Sequence, residues 1–183
     1  QLVDKSLVQT ERTGDEVRYH LLEPLLQYAA ARITTDETRE SKGRHARYFQ
    51  DLAEGAAPEL RGPRQLEWLE RLELEHDNLR AALAWGVDAG DAEVAQRIAS
   101  ALTWFWLVHR HVAEAVEWFD RVLGVKGGSP KVRASALVQG GFIRSVIRQD
   151  DLEGCLARIR AGTALFVEQR DERRTGSRNV PDL

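Results

Sequence analysis

Leu66-Glu-Trp-Leu-Glu-Arg-Leu-Glu-Leu-Glu-His-Asp-Asn-Leu-Arg-Ala-Ala-Leu83 decides the fold. Leu66, Leu69, Leu72, His76, Leu79 and Leu83 recur at three- and four-residue steps, which puts them in one stripe along a helix. Gly62-Pro63 breaks the chain before that helix and opens it. Upstream, Thr34-Thr-Asp-Glu37 has capping-box spacing, and His45, Tyr48, Phe49, Leu52 and Ala53 give the helix behind it an apolar side. Downstream, Gly90-Asp91 stops the striped helix and caps another over about 93–109. A further helix over about 112–123 ends at Gly124. Gly127-Gly-Ser-Pro130 reads as a linker with a Ser cap and a Pro in the first turn. Two more helices follow, about 131–148 and 151–170, the second behind the capping-box spacing Asp150-x-x-Glu153.

Only the N-terminal part departs from this pattern. Ser6–Gln9 and Val17–Leu21 carry β-branched and aromatic residues around Thr13-Gly-Asp-Glu16, which predicts a β-hairpin. Pro24 then opens a short helix. The fold class expected from the pattern is mainly α: a β-hairpin unit followed by α-helical hairpin repeats.

Composition narrows function by exclusion. The 183 residues carry 26 Lys+Arg against 29 Asp+Glu, a net charge of −3. That balance gives no general reason to expect nucleic acid or an anionic membrane as partner. Residues 1–60 hold 8 basic and 11 acidic side chains, which opposes DNA contact by the hairpin unit. Residues 92–183 hold 14 basic and 11 acidic, too mild an excess to argue for nucleic acid. The longest strongly apolar stretch, Ala101–Val108, is far short of the ~20 residues that span a bilayer. Gln1–Thr10 lacks the features of a signal peptide, and the one cysteine, Cys155, allows no intrachain disulfide. A cytoplasmic location is expected. The chain has no Met and opens inside an apolar pattern, which suggests a segment of a longer protein.

The helix pairs near 93–123 and 131–170 are offset by roughly 35–40 residues, the period of a helical-hairpin array. Each hairpin in such an array has two apolar sides and needs neighbours, so the last one should expose an apolar face. Trp104-Phe-Trp106 places three aromatics about 100° apart around one helix. That helix should be central and packed on several sides.

These residues also carry a resemblance. Leu2-Val-Asp-Lys-Ser-Leu-Val8, Arg18-Tyr-His-Leu-Leu-Glu-Pro-Leu25 and Tyr28-Ala29 resemble the winged-helix segment of bacterial STAND regulators, signal-transduction ATPases that include LuxR-type and SARP/AfsR-like transcriptional regulators. Ala57-Pro-Glu-Leu-Arg-Gly-Pro63, Trp68-Leu-Glu-Arg-Leu72 and Glu75-His-Asp-Asn-Leu-Arg-Ala-Ala-Leu83 resemble the helical connector of that family. Phe105-Trp-Leu-Val108, Glu114 and Trp118-Phe-Asp-Arg-Val-Leu123 continue the likeness into tetratricopeptide-like repeats. The resemblance makes the hairpin a partial winged helix and implies the domains 1–33 (C-terminal part of a winged helix), 34–91 (helical connector), 92–172 (tetratricopeptide-like helical hairpins) and 173–183 (a flexible tail). It also implies an upstream nucleotide-binding module, further helical repeats, a protein or small-molecule effector on those repeats, and self-association governed by ATP or ADP. The same segment also occurs in nucleotide-cyclase fusions, and a DNA-binding winged-helix module is a third reading. Two positions depart from the family pattern: Arg110 stands where a turn Gly is common, and Cys155 where a small Ala is common.

The resemblance also supplies the single candidate site residue. Winged helices of this family place a His against the β-phosphate of ADP. Matching the Tyr-His pair selects His20, whereas counting back from Ala29 selects Leu22. The chain lacks a phosphate-cradling motif, because Gly127-Gly-Ser-Pro-Lys131 does not end in the required Gly-Lys-hydroxyl. No bound cofactor and no catalysis are therefore expected of this segment. His109-Arg-His111 with Glu114 raises the question of metal, but two histidines at a turn fall short of a ligand set and read as structural. No metal site is expected.

Overall fold

The computed structural model describes residues 8–13, 16–30, 32 and 34–176, with side chains described at 8–10, 22–25, 27, 28, 32 and 34–170. The chain divides into two units after Ser41. The first contains β1 (Val8–Thr13) and β2 (Glu16–Leu21), paired antiparallel from Val8↔Leu21 to Thr13↔Glu16. The hairpin predicted from Ser6–Gln9 and Val17–Leu21 is thus present. Ser6, Leu7 and the turn residues Gly14 and Asp15 lie outside the described residues. A short helix α1 (Glu23–Ala30) follows.

Helix α2 (Thr35–Glu59) starts at the capping box read from sequence. The Thr34 N–H donates to Glu37 Oε2 at 2.9 Å, and the Glu37 N–H donates to Thr34 Oγ1 at 3.2 Å. Each satisfies a backbone donor that the helix cannot.

The second unit continues as a succession of helices: α3 (Gln65–Leu74), α4 (His76–Asp88), α5 (Ala92–Val108), α6 (Val112–Gly124), α7 (Pro130–Ile147) and α8 (Leu152–Gly176). The fold is mainly α, as the sequence predicts. The single striped helix over 66–83 is instead two helices that meet at Glu75. No Gly or Pro stands at that junction. Leu69, Leu72, Leu79 and Leu83 are buried as the stripe requires, but Leu66 is 69% exposed. Leu66 lies in the first turn of α3, at the edge of the packed region.

Helix α5 is the centre. It packs against α4, α6 and α7. Ile98, Leu102, Phe105 and Trp106 are fully buried on it, and Trp106 meets Phe119 of α6 edge to face with 6.0 Å between ring centroids. Side chains this large contribute roughly 1.5–3 kcal/mol each when buried. Trp104 is only partly buried and lies beneath the Arg61 guanidinium.

The caps explain where the helices begin. Asp91 Oδ1 accepts from the Val94 N–H at 3.1 Å, and Ser129 Oγ accepts from the Val132 N–H at 3.4 Å. The Asp150–Glu153 box is displaced by one residue: Asp151 caps Gly154 at 3.2 Å, while Asp150 pairs with Arg148.

Helices α7 and α8 approach through small residues. A Cβ at Gly141 would lie 2.8 Å from the Cys155 carbonyl oxygen, and one at Gly162 would lie 2.6 Å from that of Ala134. Only the absence of side chains allows backbones to come this close. Cys155 is buried and packs as a small apolar side chain. The large apolar side chains of this pair point outward, including Phe142 and Val146 on α7 and Leu152 and Leu156 on α8, each between 44% and 53% exposed. The sequence predicts such an unpartnered face. No helix among the described residues is long and apolar enough to cross a membrane.

Candidate functional site

The most chemically loaded place in the described residues is the joint between the α3–α4 junction and the α5–α6 turn. Arg110 sets its geometry. With φ at +64°, it is the one non-glycine among the described residues with positive φ. This left-handed residue ends α5 and turns the chain into α6. On either side of it, His109 and His111 reach one carboxylate. Glu73 Oε2 lies 3.2 Å from His109 Nδ1 and 3.3 Å from His111 Nε2. The rings of His109 and His111 are nearly parallel, with centroids 6.1 Å apart.

His76, the first residue of α4, completes the group from beneath. It is 7% exposed, and its ring centroid lies 4.6 Å from that of His111 and 5.3 Å from that of Phe105. Its Nε2 is 3.4 Å from Glu114 Oε1, but the geometry makes no hydrogen bond, so this buried nitrogen has no partner. Burial pushes the imidazole below its ordinary pKa. The Glu114 charge opposes that shift, while the charges of Arg80 and His111 reinforce it.

Glu114 is engaged elsewhere. Arg80 Nε and Nη2 donate to its two oxygens at 2.7 Å each, and Trp118 Nε1 donates to Oε1 at 3.1 Å. Burial acts to raise the Glu114 pKa, but the bonds from Arg80 and Trp118, with the nearby charges, hold it below the ordinary carboxylate value. The hydrogen bond to Glu114 in turn holds Arg80 well above its ordinary value. This fork ties α4 to α6.

Sequence pattern pairs Glu114 with the two histidines of the turn; the structure gives that place to Glu73 and His76. The residues are up to 38 positions apart, so no local spacing reveals them. The signal available in sequence is the Glu-x-x-His of 73–76, which straddles the helix break.

A groove of about 560 Å³ is lined by α2, α5, α7 and α8. Glu54, Glu93, Arg97, Lys131 and Phe166 contribute to it. Arg97 makes a forked pair with Glu54 at 2.6 and 3.1 Å. The Ser129 N–H donates to Glu93 at 2.6 Å. The N-cap residue of α7 is thus engaged with a carboxylate of α5.

His20 is placed on β2 opposite Gln9. Its side chain lies outside the described residues.

The chain is similar to three bacterial proteins. Over 122 residues the chain is 34% identical to a protein of Mycobacterium bovis named "Putative HTH-type transcriptional regulator". The same identity holds for proteins of that name in two strains of Mycobacterium tuberculosis. The matched part is 67% of this chain and 14% of each relative, so the chain spans a small part of their length. No family model matches the chain, and no solved structure matches it significantly.

Proposed function

We propose that this chain is a regulatory, protein-interaction segment of a multidomain transcriptional regulator. The observation that carries this reading is the 122-residue likeness to HTH-type transcriptional regulators. The architecture supports it: helices packed around α5, an open groove and an outward-facing apolar surface on α7–α8 suit holding and transmitting. In the finer form of the proposal, the parent is a STAND-type ATPase. The helical array of 92–172 then receives a protein or small-molecule effector, and the connector of 34–91 passes that event to a nucleotide switch. The segment itself is non-catalytic. An effector acts in this scheme only by preferring one nucleotide state of the whole protein.

The test uses the full-length parent. Effectors captured on the helical array, by pull-down or by small-molecule screening, are titrated against the ATP-loaded and ADP-loaded forms. The proposal expects an effector whose affinity differs between the two forms. Equal affinities for every effector found would defeat it. A salt-dependent DNA titration of the chain itself should show no tight binding, in keeping with the acidic balance of residues 1–60.

A further inference from the structure

We propose that Glu73, His76 and His111 form a binding site for a divalent transition-metal ion, zinc foremost, which staples the α3–α4 junction to the α5–α6 turn. Each of the three offers one ligand atom, and the three atoms all lie within 4.8 Å of one another. They come from three separate segments: the last turn of α3, the first residue of α4 and the start of α6.

Three observations carry the proposal. First, the donor set is two imidazoles and a carboxylate, which suits zinc and its neighbours and not calcium or magnesium. Second, bonds of about 2.0–2.2 Å in a tetrahedron place ligand atoms about 3.3 Å apart. Glu73 Oε2 and His111 Nε2 already stand 3.3 Å apart. His76 has to close the remaining distance, and Glu73, with a side chain 45% exposed, is free to swing toward it. Third, the charge is right. Glu73 meets the imidazoles of His109 and His111, while Asp77 and Glu114 share the guanidinium of Arg80, so three carboxylates stand against one guanidinium among these linked side chains. That excess of negative charge favours a dication.

His109 has a different part. Its Nδ1 lies 3.2 Å from the Glu73 oxygen that faces His111. It is a positioning residue that orients the carboxylate, as second partners of metal ligands do. Water takes the fourth position. Without metal, the same contacts form a histidine–carboxylate cluster at a helix turn, and the experiment separates the two cases.

The full chain, without an affinity tag and stripped with chelator, is titrated with zinc against a chromophoric competitor, and separately with cobalt. The expected result is saturable 1:1 zinc binding, with cobalt giving the intense visible absorption of a four-coordinate site. H111Q and E73Q change half-exposed side chains and should fold, with helical circular dichroism as the check. Each should weaken zinc binding by on the order of 100-fold or more, and H109Q by about 10-fold. Zinc should also raise the thermal midpoint of the parent and not of H111Q. Absence of saturable binding at micromolar zinc would overturn the proposal. Unchanged affinity in correctly folded H111Q and E73Q would do the same.

Discussion

The α5–α6 and α7–α8 hairpins follow one plan and fill it in opposite ways. In the first, large side chains occupy the space between helices. Leu102, Phe105, Trp106, Phe119 and Val122 are all fully buried. In the second, the helices meet almost backbone to backbone at Gly141 and Gly162, and Phe142, Val146, Leu152 and Leu156 are left facing outward. Packing with aromatics consumes apolar surface in the hairpin's own core. Packing with glycine and cysteine reserves that surface for something else. In the function proposed here the first hairpin is the rigid member and the second presents the apolar surface.

The contrast is easiest to break at the core of α5–α6. Phe119→Ala removes a fully buried ring that packs on Trp106 and should cost about 3–5 kcal/mol by chemical denaturation. A loss below 1 kcal/mol would mean that the hairpin is not the rigid member. Gly162→Ala tests the other side. The new methyl group meets the Ala134 carbonyl oxygen, and overpacking of about 1–3 kcal/mol exceeds the helix-propensity gain of roughly 1 kcal/mol. The damage should stay in α7–α8, read as faster amide exchange there and unchanged exchange in α5.

Arg110→Gly sharpens the comparison from the turn. A left-handed non-glycine costs roughly 1–2 kcal/mol, and glycine gives back part of that in unfolded-state entropy. A net stabilisation of about 0.5–1 kcal/mol is expected. Asp120→Asn has the smallest effect. Asp120 pairs with Arg144 of α7 at 3.1 Å and Arg158 of α8 at 2.7 Å, which links the two hairpins. The loss should be under about 1 kcal/mol and should shrink as salt is added.

Much of this fold can be read without coordinates. The Thr34–Glu37 box, the Asp91 cap and the Ser129-Pro130 start are local chemistry, and each hydrogen bond is found where the spacing puts it. The centrality of α5 follows from three adjacent aromatics that cannot share a face. The break at Glu75 is not legible, because nothing local demands it. The exposure of Leu66 is hidden for a similar reason, since a stripe shows which side is apolar and not where the packing partner stops. The Glu73–His76–His111 group was half visible. His109-x-His111 marks the turn, but the partners come from a junction that periodicity reads as one straight helix. Glu114, the partner suggested by proximity in sequence, is taken by Arg80.

Native-state hydrogen exchange on the intact chain tests the division of labour most directly. Amides of α5 and α6 should open only with global unfolding, while those of α7 and α8 should open through a separate event of lower free energy. Equal protection in the two hairpins, or the slowest exchange in α7–α8, would contradict the account.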